Sequence, residues 1–354
     1  RWVWESMLHS KHHSGAGERA DSMTPILCVT VIYIPLMILG LLGNILTILV
    51  VWLRPHMRTC TYLYLSSMAV SDLLILLLLP LDLYQVCTRP RPWLLGDLVC
   101  KLTMFLSECC TFCTILHITF LSLERYLAVC WPITSKTLVT RRRTKVVIGC
   151  LWLGAAISAA PVLVMVGVEE VQEDVGFGGW RNDTLWTDMD ACRWTLYATS
   201  SGLISAMLIL SNLYFLVPFC ILGLVYTLIG RTLWLRPQSN HRDQSLKNTI
   251  KMLGVIVLAF VLCWLPFHVG RTIFFLSFGT ASESSALGLT EYNSTYFNYV
   301  SSVLFYLSPA INPLLYNLMS GRYRLAVRSL LHSESPAQIH RTRTFTIQQP
   351  STAV

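Results

Sequence analysis

The sequence predicts an all-α membrane protein: a bundle of seven transmembrane helices, followed by a short amphipathic helix. Three observations carry this. Of 354 residues, 54% are hydrophobic and 13% charged, whereas soluble domains carry about 25% charged residues. Seven apolar segments, at about 25–53, 62–86, 99–130, 145–167, 203–233, 249–276 and 294–318, are long enough to cross a bilayer. Basic residues gather in alternate loops: 54–61, 131–146, 231–251 and 319–354 hold 17 of the 27 Lys and Arg residues. This asymmetry orients the chain in its membrane with the N-terminus outside and the tail inside.

Residues 1–24 read as a polar extracellular tail with no signal-peptide pattern. Arg1 opens the sequence, and a different true start is expected. His9, His12 and His13 in this tail have no second ligand cluster in the sequence, so they read as solvated residues. The seven-span domain runs over 25–318. Pro35, Pro80, Pro161, Pro218, Pro266 and Pro313 interrupt its spans. Membrane helices tolerate such breaks because neighbours satisfy the freed backbone groups.

The loop 167–191 carries seven acids against one base, Arg181, a field that would steer a cationic ligand. Most of the twelve cysteines lie inside apolar runs and read as small buried hydrophobes. Cys100 and Cys192 stand at span edges on the oxidising side, where a disulfide is permitted; Cys28 and Cys87 are spare candidates. Asn182 opens a glycosylation sequon outside, while Asn293 opens one that crowds the seventh span. Residues 319–331 alternate basic and apolar residues at helical spacing, as a helix lying on lipid does. Residues 332–354 are rich in Ser, Thr and Gln and read as a disordered cytoplasmic tail.

The third span organises the rest. Cys100 and Arg125 lie about 38 Å apart along one helix, with Glu108 about 12 Å inward from the cysteine. A charge at that depth costs about 3 kcal/mol or more, so it calls for a cavity and a partner. Arg271 in the sixth span is an opposite charge with the same need. Asp72, mid-span in the second helix, has Asn44, Thr114, Ser308 and Asn312 as candidate oxygen neighbours. That set suits a hydrated sodium ion, and equally a protonated Asp in a polar network. Arg125 can pair with Glu124 at rest. Its release, with Tyr226 and Tyr316 swinging inward, would open a cleft for a partner helix. Trp264 stands beside the Pro266 kink, with Phe260 one turn away.

Gly43-Asn44, Asp72, Glu124-Arg125-Tyr126, Trp152, Pro218, Cys263-Trp264-Leu265-Pro266 and Asn312-Pro313-Leu314-Leu315-Tyr316 fall one motif to a span, in order. Over residues 25–331 the chain therefore resembles a rhodopsin-like G-protein-coupled receptor. PLDLYQV, RPWLLGDLVCKL, MVGVEE, LIGRTLW and CWLPFHVGR resemble the ghrelin and motilin receptor subfamily, and SMAVSDLLILL, LHITFLSLERYLAVC and LVTRRR lean to its motilin side. Trp131 and Pro309 depart from the usual pattern.

The resemblance implies a receptor for a gut peptide hormone, motilin-like or alternatively ghrelin-like. Its signal would pass through a Gq-type G protein to phospholipase C and calcium. It implies a pocket of Asp82, Glu108, Phe267, Arg271 and Phe305, bridged by Glu108 and Arg271, with Glu108 facing a cationic group of the peptide. It implies a switch of Glu124, Arg125, Tyr126, Tyr226, Phe260, Trp264, Asn312, Pro313 and Tyr316. It favours sodium at Asp72, stabilising the inactive state; no other metal or cofactor is expected. Arrestin would read phosphorylated Ser and Thr in 333–352, and Thr352-Ala353-Val354 offers a PDZ-type ending.

Other classes fit less well. A transporter, the remote alternative, predicts an internal repeat or paired broken helices, and a channel predicts a pore loop. An opsin needs a Lys in the seventh span, where Tyr306 stands instead. The sequence has no metal-ligand helix motif, nucleophile elbow or phosphate loop, so no enzyme is expected. No nucleic-acid partner is expected either.

Overall fold

The computed structural model describes residues 16–87, 93–175, 185–235, 241–279, 287–319 and 321–331. The elements are α1 (Ala16–Leu53), α2 (Cys60–Cys87), α3 (Gly96–Cys130), the short α4 (Pro132–Leu138), α5 (Arg141–Ala159), the short α6 (Val162–Met165), β1 (Val166–Val175), β2 (Leu185–Trp194), the short α7 (Leu196–Ser200), α8 (Leu203–Leu235), α9 (His241–Gly279), α10 (Leu287–Met319) and α11 (Gly321–Leu331). Stretches of α1, α2, α3, α8 and α9, together with Arg141–Met165, are long and apolar enough to cross a membrane. The seventh apolar stretch described, Val300–Leu315 of α10, is shorter. The chain is a seven-helix transmembrane bundle.

α3 is its axis. It packs against α2, α4, α5, α6, α8, α9 and β1. In its most apolar window 72% of residues are buried, against 28% for α1 and 22% for Arg141–Met165. The difference separates a central helix from two that turn apolar faces outward, towards lipid. Tyr64, Met68 and Ile75 of α2, Cys110 and Leu121 of α3, and Phe260 and Trp264 of α9 meet in the main core cluster.

Proline shapes the spans as expected. Pro80, Pro218, Pro266, Pro309 and Pro313 lie inside helices. At Pro161 the chain instead leaves α5 and restarts as α6. Gly43 lets α1 meet α10 closely, since a Cβ there would stand 2.7 Å from the Pro313 ring. That approach brings Asn44 Nδ2 to the Pro309 carbonyl at 2.9 Å.

The loop after the fourth span holds a surprise. β1 and β2 pair antiparallel, Val166 opposite Trp194 and Val175 opposite Leu185. Much of the acidic segment read as a loop over 167–191 is thus a hairpin. Its strands alternate in part, as Val166, Val168 and Glu170 show, but the crowd of acids hid the strand signal. A disulfide joins Cys100 to Cys192 with Cα atoms 5.7 Å apart and fastens β2 to α3. The two ends of the bundle are called below the disulfide end and, at Arg125, the opposite end.

At the opposite end α11 folds back on α1. Tyr323, Ala326 and Val327 are buried, while Arg322, Arg324 and Leu325 are exposed. Tyr323 shares a 2.9 Å hydrogen bond with Thr47. The amphipathic pattern over 319–331 therefore becomes a real helix. Asn182 and residues 332–354 lie outside the described residues, as do the side chains of Cys28, Cys87 and Tyr316. Asn293 falls within α10.

Candidate functional site: a pocket, a polar core and a Glu–Arg contact along α3

At the disulfide end, a cavity with about 570 Å³ of space, part of it continuous with solvent, is lined by Asp82, Glu108, Phe267 and Phe305 among others. Glu108 comes from α3 and is 6% exposed. Arg271 comes from α9, one turn beyond Phe267, and is 1% exposed. Its Nη1 donates to Glu108 Oε1 at 2.9 Å and to Ser211 Oγ of α8 at 3.0 Å. Each charge thus finds the partner that its burial demands, and three helices are tied together. Tyr306 of α10 donates its hydroxyl to the Asp82 carboxylate, closing a second link from α2 to α10.

Aromatic rings floor this cavity. Phe267 and Phe305 stand 5.1 Å apart, Phe305 and Trp264 5.0 Å, and Trp264 and Phe260 5.6 Å. His268 stacks on Phe215 at 4.6 Å, and its ring nitrogens are buried without hydrogen-bond partners among the described residues. Trp264 Nε1 donates to Ser308 Oγ at 2.9 Å, so the ring at the α9 kink is pinned to α10.

Midway along the bundle, Asp72 is 1% exposed and accepts from Asn312 Nδ2 at 2.9 Å. The hydrogen bonds of the other residues expected around it run elsewhere. Thr114 shares one with Ser71 at 2.9 Å, Ser308 takes the one from Trp264, and Asn44 Nδ2 turns to the Gly40 and Pro309 carbonyls. Asn44 Oδ1 is buried with no hydrogen-bond partner among the described residues.

At the opposite end, Arg125 Nη2 lies 3.8 Å from Glu124 Oε2. Thr144 of α5 donates to Glu124 Oε1 at 3.2 Å. Tyr226 packs with Tyr126 around Val129, Val225, Ile229 and Ile250. Pro313 is buried against Gly43. Phe260 and Trp264 lie in the main core cluster, and Tyr126 and Tyr226 pack in a smaller one beside α3. Ser71, Thr144, Ser211 and, as a partner of Asp82, Tyr306 were not expected at these sites.

A family model described as 7 transmembrane receptor (rhodopsin family) matches residues 43–316. The chain belongs to that family. Receptors of this family are not enzymes. The receptor is 49% identical to the growth hormone secretagogue receptor type 1 of Mus musculus over 315 residues, covering 88% of this chain and 82% of that one. It is 41% identical to the motilin receptor of Homo sapiens over 353 residues, covering 89% and 84%. The neurotensin receptor type 1 of Rattus norvegicus is 33% identical over 345 residues, covering 89% and 78%. The receptor is thus a member of the ghrelin and motilin receptor subfamily.

Proposed function

We propose that this receptor sits in the plasma membrane with the disulfide end outside and answers a motilin-like gut peptide hormone. The observation that carries a charged peptide ligand is the buried Glu108–Arg271 pair beside the cavity. A cationic group of the peptide would compete with Arg271 for Glu108, and the acidic 167–191 segment would draw it in. The motilin side rests on SMAVSDLLILL, LHITFLSLERYLAVC and LVTRRR. A ghrelin-like hormone is the second reading, favoured by the higher identity to the growth hormone secretagogue receptor.

Binding would shift Phe267, Phe305 and Trp264, bend α9 at Pro266 and free Arg125 for a Gq-type G protein, leading to phospholipase C and calcium. Arrestin would follow on phosphorylation of the tail. Asp72, Thr114, Ser308 and Asn312 are buried, as is Asn44, whose Oδ1 has no partner among the described residues, and their oxygens would suit a sodium ion. Bound there, sodium would hold the resting state. Asn182 would carry a glycan outside.

Calcium release in transfected cells, exposed separately to motilin and acylated ghrelin, tests the reading. A response to motilin at lower concentration supports it. A stronger response to acylated ghrelin selects the second reading, and silence to both refutes the hormone assignment.

A further inference from the structure

The ion pair at the opposite end is poorly held by itself. At 3.8 Å, Arg125 and Glu124 are beyond hydrogen-bond distance, so their contact is Coulombic alone. Glu124 and Arg125 keep only 12% and 16% of their side-chain surface exposed. The carboxylate is held from other helices instead: Thr144 Oγ1 of α5 donates to Glu124 Oε1 at 3.2 Å. The Tyr64 hydroxyl, on α2, hydrogen-bonds the same carboxylate, so Thr144 is one of its two donors.

Thr144 sits oddly for its neighbourhood. Arg141, Arg142, Arg143 and Lys145 around it are all exposed, whereas Thr144 is 1% exposed. Thr140 caps α5, accepting from the Arg143 backbone N–H at 3.4 Å, and this sets the rotation that turns Thr144 inward. A hydroxyl in a turn of cations is thus directed at the carboxylate that restrains Arg125.

We propose that Thr144 is a positioning residue of the switch: its hydroxyl holds Glu124 against Arg125 and thereby sets how active the receptor is without hormone. With one oxygen fixed to α5, the other is presented to the Arg125 guanidinium. Remove the hydroxyl, and the Glu124 side chain rotates to find another donor while Arg125 loses its restraint. The α5 start then belongs to the switch, as an anchor against which α3 is released.

The proposal rests on the receptor coupling to a G protein, and its test is arranged to separate the two. Nucleotide exchange without hormone is measured for surface-matched receptor on a panel of G-protein classes. A wild type that activates a class other than Gq overturns the Gq reading alone, and the Thr144 comparison is then made on the class that responds. Thr144→Val keeps the shape and removes the hydroxyl. Its basal exchange should rise roughly threefold or more, since a hydrogen bond to a charged group is worth about tenfold or more in an equilibrium and Tyr64 remains as a second donor.

Thr144→Ser should restore the wild-type level. In a Glu124→Gln background the valine should add nothing, because the group it positions has lost its charge. A purely structural threonine would change surface level or melting temperature while leaving basal exchange per receptor unchanged. Unchanged basal exchange in Thr144→Val overturns the proposal. So does an equal rise in the Glu124→Gln background, or a serine variant that behaves like valine. If the valine variant fails to reach the surface, Thr144→Ala takes its place in the same comparison, and the same results support or overturn the proposal.

Discussion

Two Glu–Arg contacts punctuate α3, and they are built differently. Glu108 and Arg271 meet at 2.9 Å from separate helices, and Arg271 is locked further by Ser211. Glu124 and Arg125 are chain neighbours 3.8 Å apart, with the carboxylate held by a hydroxyl instead. Both pairs are mostly hidden from water, where breaking a tight pair from one side costs about 3–5 kcal/mol. The first pair is therefore a tight strut between α3 and α9. The second is a looser contact, which the proposed function uses as a latch. A signalling receptor needs both: a stiff place for a ligand to push on, and a soft place for the push to come out.

The sharpest way to break this comparison is at the latch. Arg125→Ala should leave hormone binding near wild type and abolish the calcium response, because the proposed function has Arg125 released to engage the G protein. A mutant that binds the peptide and still raises calcium normally would show that the 3.8 Å contact is mere packing. Thr144, one contact away, should act with the opposite sign and more gently, raising basal activity instead of ending the response.

The strut predicts a smaller, graded effect. Glu108→Gln keeps the shape and removes the charge, leaving Arg271 buried without its anion. Peptide potency should fall by about tenfold or more, each 1.4 kcal/mol being about tenfold. Arg271→Ala should cost a similar amount. Exchanging the two charges should recover surface expression better than potency, because the pair is restored but presented to the ligand in reverse. A double-mutant cycle on peptide-evoked calcium, with surface level controlled, measures the coupling. Coupling near zero would mean that the two charges act independently.

Much of this architecture is legible in the sequence. Apolar runs of membrane length mark the helices directly, since a bilayer forces each span to satisfy its own backbone. Glu108 and Arg271 are legible as a pair because charges in apolar spans must find partners, and few are on offer. Asp72 is legible for the same reason, as is Asn312, its hydrogen-bond donor.

What escapes has a common cause. Ser71, Thr144 and Ser211 are neutral hydroxyls inside or beside apolar helices, where a local backbone carbonyl can satisfy them. Nothing in their sequence context says that they reach Thr114, Glu124 and Arg271, Ser71 while also bonded to the Met68 carbonyl. The hairpin escapes because its pairing partners lie up to 28 residues apart, Val166 to Trp194, across a loop whose charge dominates its pattern.

The finest test of the comparison is Ser211→Ala. Ser211 accepts from the same Arg271 nitrogen that reaches Glu108, at 3.0 Å beside 2.9 Å. It carries no charge, so removing it leaves the ion pair electrically whole and takes away only the third point that fixes where Arg271 stands. Hydrogen bonds between membrane helices are worth about 0.6 kcal/mol on average, or about threefold. Peptide potency should therefore fall by about threefold, well short of the loss in Glu108→Gln. In a Glu108→Gln background the same alanine should change potency hardly at all, because there is no longer a carboxylate for Arg271 to be aimed at. If Ser211→Ala costs as much as Glu108→Gln, the strut is a three-way network in which the hydroxyl carries as much as the anion. If it costs nothing in either background, the stiffness belongs to the Glu108–Arg271 pair alone.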